Sequence, residues 1–306
     1  MKNIYYKTIG TTKLSKINKF AKGCWIDIQN PLKADLDLIQ EKFGIESEII
    51  EDILDTNEIP KVEKIDENLM VILKMPIVKN NRSELVNFTV IISPAAIITI
   101  SLDSNPTIDR VIKSSSNIFT SQRSKLFIKL LQELAILYLK DIERIRREIE
   151  LQKKRIEKLN DKQVKELILH EEALNSYNLA LQPTKYIINK ILKGKFLSIY
   201  SSDEEMLNDM YEDFNQAAEL CLLNLKSIVT LRDSYKILID LSLNKTIRFL
   251  TSITIILTIP TIISSIFGMN VEFSFLNGAG SFDSIMQLIL LSIVFTTGFF
   301  YYKKWL

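Results

Sequence analysis

Two stretches near the C-terminus carry no charged residue, Phe249 to Val271 and Ser284 to Tyr302. Each is about 20 residues long, enough at ~1.5 Å per residue to cross a hydrocarbon layer ~30 Å thick. They predict two membrane-spanning helices, over about 249–269 and 284–302. The first run is patterned as well as apolar. Thr251, Thr254, Thr258, Thr261 and Ser265 step by 3, 4, 3 and 4, which puts them on one helical face, while Ile, Leu and Phe fill the others. Continued upstream, the same stripe passes Ile247 and Asn244, then Asp240, Ile237 and Asp233. A seam of hydroxyls has two uses. It can face the axis of a helix bundle and line a wet path, or each hydroxyl can bond back to a carbonyl of its own helix. Pro260 lies inside the span, deprives one carbonyl of its donor and predicts a kink. The run closes on Gly268-Met269-Asn270, which places a polar amide where the helix meets water.

Upstream the pattern changes. Lys22–Gln29, Leu69–Val78, Val86–Ser93 and Ala96–Leu102 read as strands, Asp35–Phe43 and Ser47–Leu54 as short helices, and Asn30-Pro31 as a turn. Residues 1–122 are therefore expected to form an α/β domain. From Arg123 to Asn160 the chain is rich in Glu, Lys and Arg with regularly spaced Leu and Ile, the pattern of one long helix with solvated charge pairs. Lys162–Lys193 continues as helix, with Pro183 marking a kink or break. Asp203–Arg248 is a third long helix that runs into the first span, its start capped by Ser201-Ser202-Asp203. The expected organisation is an α/β domain at 1–122, a long-helix stalk region at 123–248 and a membrane domain at 249–306.

Charge and composition narrow the function classes. The 306 residues have a formal net charge of +2, which argues against a strongly basic nucleic-acid surface. Cys24 and Cys221 lack CxxC spacing and read as buried thiols in a reducing compartment. His170 is the only histidine, so neither a His/Cys metal site nor a His-based triad is expected. No nucleophile and base constellation appears, and Gly194-Lys195, followed by Phe196, lacks the upstream glycine of a phosphate loop. A non-enzymatic protein without an organic cofactor is expected. The first residues lack the apolar core of a secretory signal. Lys236, Lys245 and Arg248 precede the first span and Lys303 and Lys304 follow the second, whereas the loop between them has only Glu272 and Asp283. That asymmetry puts both termini in the cytoplasm of a multi-pass plasma-membrane protein, with Tyr301, Tyr302 and Trp305 as an interfacial belt among the lipids. Two spans cannot enclose a pore, so a transporter built this way must be a homo-oligomer.

At Phe267-Gly268-Met269-Asn270, placed after a Pro-containing span and before a short loop, a second span and a Lys-Lys-Trp-Leu end, the chain resembles the CorA family of magnesium transporters. Leu243-Asn244-Lys245-Thr246, Trp25-Ile26-Asp27, Glu51-Asp52-Ile53-Leu54-Asp55 and Pro60-Lys61-Val62-Glu63 extend the resemblance over nearly the whole chain. It implies a homopentamer with a funnel-shaped cytoplasmic domain, whose first membrane helix lines the pore. It also implies a selectivity filter at Gly268, Met269 and Asn270, with Asn270 as the outer ring. Asn244, Ile247, Leu250, Thr258 and Thr261 would line the path, and Leu250 and Ile247 would be its apolar constriction. Leu250 lies one position off the stripe. Near Thr258 the family commonly carries a bulky apolar residue, and the Met-Pro-Glu-Leu stretch frequent in its outer loop is absent here. Counting back from Asn270 without gaps, Asp209 falls at a cytoplasmic Mg²⁺-sensing carboxylate and Asp233 at a second acidic position facing the pore. Regulatory Mg²⁺ bound there would hold subunits closed, and its loss would open the pore.

The chemistry suits the ion. Mg²⁺ prefers an octahedral oxygen shell and releases water reluctantly, so a neutral ring of Asn270 amides can accept hydrogen bonds from its waters without stripping them. Glu272 and Asp283 would concentrate cations outside. Hydrated Co²⁺ and Ni²⁺ have similar shells and would be discriminated poorly. The alternatives are a Zn²⁺ or Co²⁺ transporter of the same superfamily and, in a different class, a membrane-anchored helical scaffold or signalling protein.

Overall fold

The computed structural model describes residues 2–8, 14–80, 82–114, 119–156, 161–194, 196, 201–269 and 281–306. The chain divides into two compact units, Met1–Leu231 and Arg232–Leu306.

The first unit is built on a seven-stranded sheet. Its strands are β1 (Lys2–Tyr6), β2 (Ser15–Ile17), β3 (Cys24–Gln29), β4 (Lys61–Ile65), β5 (Asn68–Lys79), β6 (Arg82–Ile92) and β7 (Ala96–Ser101). They lie in the order β2-β1-β3-β7-β6-β5-β4. Among the described residues only the β3–β7 pair is parallel; Trp25 pairs with Ile97 and Asp27 with Thr99. β5 and β6 form the long hairpin, in register from Leu69 with Ile92 to Lys79 with Arg82.

Both faces of this sheet are covered, which explains why β5 is an almost unbroken apolar run rather than an alternating one. On one face Cys24, Ile26, Met70, Ile72, Ile91 and Ile98 pack with α1 (Lys33–Phe43) and α2 (Ser47–Leu54). On the other, Trp25, Val71, Leu73, Phe88, Val90 and Ile97 pack with α3 (Pro106–Lys113), α4 (Arg123–Lys153) and α5 (Asp161–Leu192). Alternate residues of one strand thus serve opposite cores. α4 contributes Phe127, Leu131, Leu134, Tyr138, Ile142, Ile145 and Ile149, a seam with heptad-like steps. α3 starts from Asn105, whose Oδ1 accepts from the backbone N–H groups of Thr107 (2.9 Å) and Ile108 (3.3 Å), with Pro106 in the first turn. α5 runs through Pro183 without a break. α4 ends at Lys153, earlier than its charge pattern predicts.

The last two helices are α6 (Ser201–Phe267) and α7 (Ser281–Tyr302). Within the first unit α6 buries Leu207, Met210, Phe214, Ala217, Cys221, Ile228 and Leu231 against the same core. Both cysteines are free and buried. The Cys221 thiol donates to the Leu174 carbonyl (2.9 Å), and burial pushes its pKa up to about 12, so it is an inert packing group. In the second unit both helices are long and apolar enough to cross a membrane.

Candidate functional site

The hydroxyl stripe lies on the part of α6 that belongs to the second unit. Thr251, Thr254, Thr258, Thr261 and Ser265 are all exposed, as are Asn244, Ile247 and Leu250. The covered side of the same segment comprises Ser252, Ile253, Ile256, Ile259, Pro260, Ile263 and Phe267. At about 100° per residue the two sets are centred roughly 180° apart. The hydroxyl stripe therefore lies on the side the chain leaves open, flanked there by exposed Ile255, Leu257, Ile262 and Ile266, and the side it covers is apolar apart from Ser252. α6 stays helical through Pro260, whose missing N–H leaves the Ile256 carbonyl without its ladder donor.

Four of the hydroxyls bond back to their own helix. Thr251 Oγ1 donates to the Ile247 carbonyl (2.8 Å), Thr254 to Leu250 (2.9 Å), Thr258 to Thr254 (2.7 Å) and Thr261 to Leu257 (2.9 Å). Each proton is committed to the helix, so the outward side of each oxygen offers only lone pairs. A hydrated cation turns O–H donors outward. Back-bonding and a wet path are thus compatible: the first makes the stripe a row of acceptors matched to such a shell. Ser252, buried on the opposite side, donates to the Phe249 carbonyl (2.8 Å) and takes no part in the stripe.

The helix ends at Phe267, and Gly268 turns the chain, its N–H donating to the Ser264 carbonyl (2.9 Å). A Cβ at Gly268 would lie 3.1 Å from that oxygen, so glycine keeps the final carbonyls uncrowded. Met269 is exposed. Asn270 and Glu272 lie outside the described residues. Asp283 is exposed in the first turn of α7, where a carboxylate complements the helix dipole.

Asp209 and Asp233 are both exposed on α6, but Asp209 belongs to the first unit and Asp233 to the second. Among the described residues no three His, Cys, Asp or Glu side chains of one chain are placed to hold a metal ion. Asp209 has an acidic neighbour one turn on: burial, and then the Asp209 charge, raise the Asp213 carboxyl above its usual range.

The segments Glu51-Asp52-Ile53-Leu54-Asp55 and Pro60-Lys61-Val62-Glu63, with Glu58 between them, meet in a charge cluster that their spacing alone does not reveal. Lys61 Nζ reaches Asp52 (2.6 Å), Glu58 (2.9 Å) and Glu63 (3.3 Å). Burial lowers the Lys61 pKa, but the three carboxylates outweigh it and raise the value overall. Seven acids lie within a dozen residues of Lys61, so the sequence does not single out the three that reach it; the turn from α2 to β4 brings Asp52, Glu58 and Glu63 to the ammonium.

Two C-terminal helices fit to cross a membrane, in a chain whose remainder closes its own α/β core, define an integral membrane protein with a large soluble unit. Residues 20–304 match the pattern of the CorA-like Mg²⁺ transporter proteins, and the chain belongs to that family. A cobalt/magnesium transport protein CorA of Methanocaldococcus jannaschii is 25% identical over 292 residues, covering 92% of this chain and 91% of its own. That of Thermotoga maritima is 24% identical over 320 residues, covering 98% and 88%. The complete structure of the M. jannaschii CorA magnesium transporter superposes with a TM-score of 0.88 at 20% identity, covering 100% of this chain and 99% of the other.

Proposed function

We propose that this chain is a magnesium uptake channel of the plasma membrane, a homopentamer with both termini in the cytoplasm, driven by membrane potential and gated by cytoplasmic Mg²⁺. Family membership supports the ion. The observation that carries the reading is the open stripe from Thr251 to Ser265, a row of acceptors opposite the covered face of α6.

Copies of this helix around an axis would form a passage whose walls accept hydrogen bonds and donate few, a surface that suits a divalent ion moving with its water shell. Asn270 would read that shell at the outer end, and Gly268 and Met269 would set its position. Ile247 and Leu250 would form the apolar gate, with Asn244 below it. Glu272 and Asp283 would gather cations outside. An inside-negative potential of about 100 mV supplies roughly 4.6 kcal/mol for a divalent ion, so no nucleotide is needed. Asp209 and Asp233 would sense internal Mg²⁺ through ligands shared between subunits, and loss of that ion would let like charges separate the subunits and open the path.

The test is Mg²⁺ uptake by purified protein in vesicles carrying an inside-negative potential. Saturable Mg²⁺ flux is expected, with Asn270→Ala abolishing it while the oligomer still assembles. Uptake unchanged in Asn270→Ala would favour an anchor or scaffold. Saturable Zn²⁺ flux without Mg²⁺ flux would overturn the ion assignment.

A further inference from the structure

A second feature, in the first unit, has no part in this pathway. A cavity of about 730 Å³ opens between the start of β6, the end of α4 and the first half of α5. Its wall carries Glu84, Glu148, Glu166 and Glu172 against a single guanidinium, Arg82. Behind it Arg144 serves two acids at once, donating to Asp141 (2.8 Å) and Glu148 (2.9 Å), so it does not cancel the excess. His170 donates from Nε2 to Glu148 (2.8 Å). Burial lowers its pKa more strongly than Glu148 raises it, so it is neutral at pH 7 and adds no positive charge.

Gln152 supplies the independent sign of a ligand. It lines the same cavity, is only 7% exposed, and its Oε1 has no hydrogen-bond partner. A buried acceptor left unpaired costs roughly 1–3 kcal/mol, so the site is short of a donor. Water would satisfy Gln152 but add no positive charge beside Glu84, Glu166 and Glu172. A donor that is also a cation meets both needs.

We propose that this cavity binds a linear alkyl polyammonium ligand, a small polyamine. Its volume falls in the range of sites for small organic molecules, about 300–1,000 Å³. Among the described residues, the acids do not converge in a set of three that would hold a metal ion. They are interleaved with Leu85, Leu151 and Leu169. Alternating carboxylates and apolar surface match ammonium groups separated by methylene chains. Each ammonium has three donors; one serves Gln152 Oε1, and others serve Glu148 and Glu166.

The inference is independent of ion transport, and so is its test. Full-length protein in uncharged detergent is titrated with spermidine by calorimetry at about 0.15 M salt, where weak surface attraction is largely screened. One saturable site per chain is expected, with 1,4-diaminobutane binding more weakly. Gln152→Leu and Glu166→Gln should each weaken spermidine about tenfold, with melting curves by circular dichroism confirming that both variants fold. Absence of saturable spermidine binding by the unmodified protein overturns the proposal. So do unchanged affinities in both variants, or displacement of spermidine by Mg²⁺ at equal or lower concentration, which would make the ligand a hydrated metal ion.

Discussion

α6 is one helix with two kinds of seam. In the first unit its steps of three and four carry Leu207, Met210, Phe214, Ala217 and Cys221, all buried. In the second unit steps of the same size carry Thr251, Thr254, Thr258, Thr261 and Ser265, all exposed. The first unit closes its apolar surface on itself: a sheet covered on both faces, with Trp25 and Phe88 wholly inside. The second leaves Leu257, Leu291, Val294 and Phe295 more than 60% exposed and turns its hydroxyls outward too. An identical period therefore means core in one unit and surface in the other; the chemistry at the repeating position, not its spacing, tells them apart. The stability of the first unit is intramolecular, whereas the apolar faces of the second need lipid or other copies of the chain.

The sharpest way to break that contrast is to truncate one aromatic in each unit. Phe88→Ala removes a fully buried ring from the sheet core and should cost about 3–5 kcal/mol. Phe295, 72% exposed, faces no core of its own chain, and Phe295→Ala should change the unfolding of the soluble unit by less than about 0.5 kcal/mol. Denaturant titration of the detergent-solubilised protein, followed by tryptophan fluorescence, reads both. Equal costs would mean that the second unit supports the first, and the comparison would fail.

How much of this was legible follows from the same contrast. β5, β6 and β7 stood out in the sequence because burial on both faces demands runs of β-branched and apolar residues, and α2 was legible to the residue. β1, β2 and β4 were not. KNIYY, SKI and KVEKI are short and lysine-bearing, and β2 and β4 form the sheet's edges, where charge guards against further pairing. α3 was missed although Asn105-Pro106 is a helix-start signal, since eight residues give too little periodicity to read. The hydroxyl stripe was legible because a helical face needs only spacing. The Lys61 cluster was not, because it depends on how the turn from α2 to β4 folds back, and the cavity beside Gln152 was not, because residues distant in sequence meet there only through the packing of α4 and α5 on the sheet.

A smaller effect tests whether the first unit's core tolerates charge. Asp27 sits in β3 with 1% exposure, accepting from Thr99 Oγ1 (2.9 Å) and Gln29 Nε2 (3.0 Å). Burial raises its pKa from 3.8 to about 6, more than those two hydrogen bonds lower it. The folded state therefore holds the proton more tightly than the unfolded chain. Between about pH 4 and pH 6 the native protein binds more protons, so this group's contribution to stability falls as pH rises and reaches its low plateau above pH 6. The loss should be about 2 kcal/mol, given roughly 1.4 kcal/mol for each pKa unit and some relaxation around the charge. Thermal melts from pH 4 to pH 7 should show this decline, and Asp27→Asn should flatten it. A profile unchanged by Asp27→Asn would mean that the carboxylate is better solvated than its burial implies.

The smallest effect belongs to Lys61, at the outer edge of the first unit. One ammonium lies within 3.3 Å of three carboxylates, which looks like strong attraction. The side chains of Lys61 and Asp52 are nevertheless 27% and 31% exposed, so water screens the pair. An isolated exposed ion pair is worth about 0.2–1 kcal/mol. A shared cation differs in what its removal leaves behind. Lys61→Met unmasks mutual repulsion among Asp52, Glu58 and Glu63, so its measured cost should exceed the pair energy. A double-mutant cycle separates the two. Lys61→Met alone should cost about 1 kcal/mol, Asp52→Asn alone about half of that, and the coupling between them should be near 0.5 kcal/mol. The cost of Lys61→Met should also shrink in about 1 M salt, where the Debye length falls to ~3 Å and repulsion among the acids is screened. A cost that persists in high salt would assign the role of Lys61 to its methylene stem packed on the sheet edge rather than to its charge.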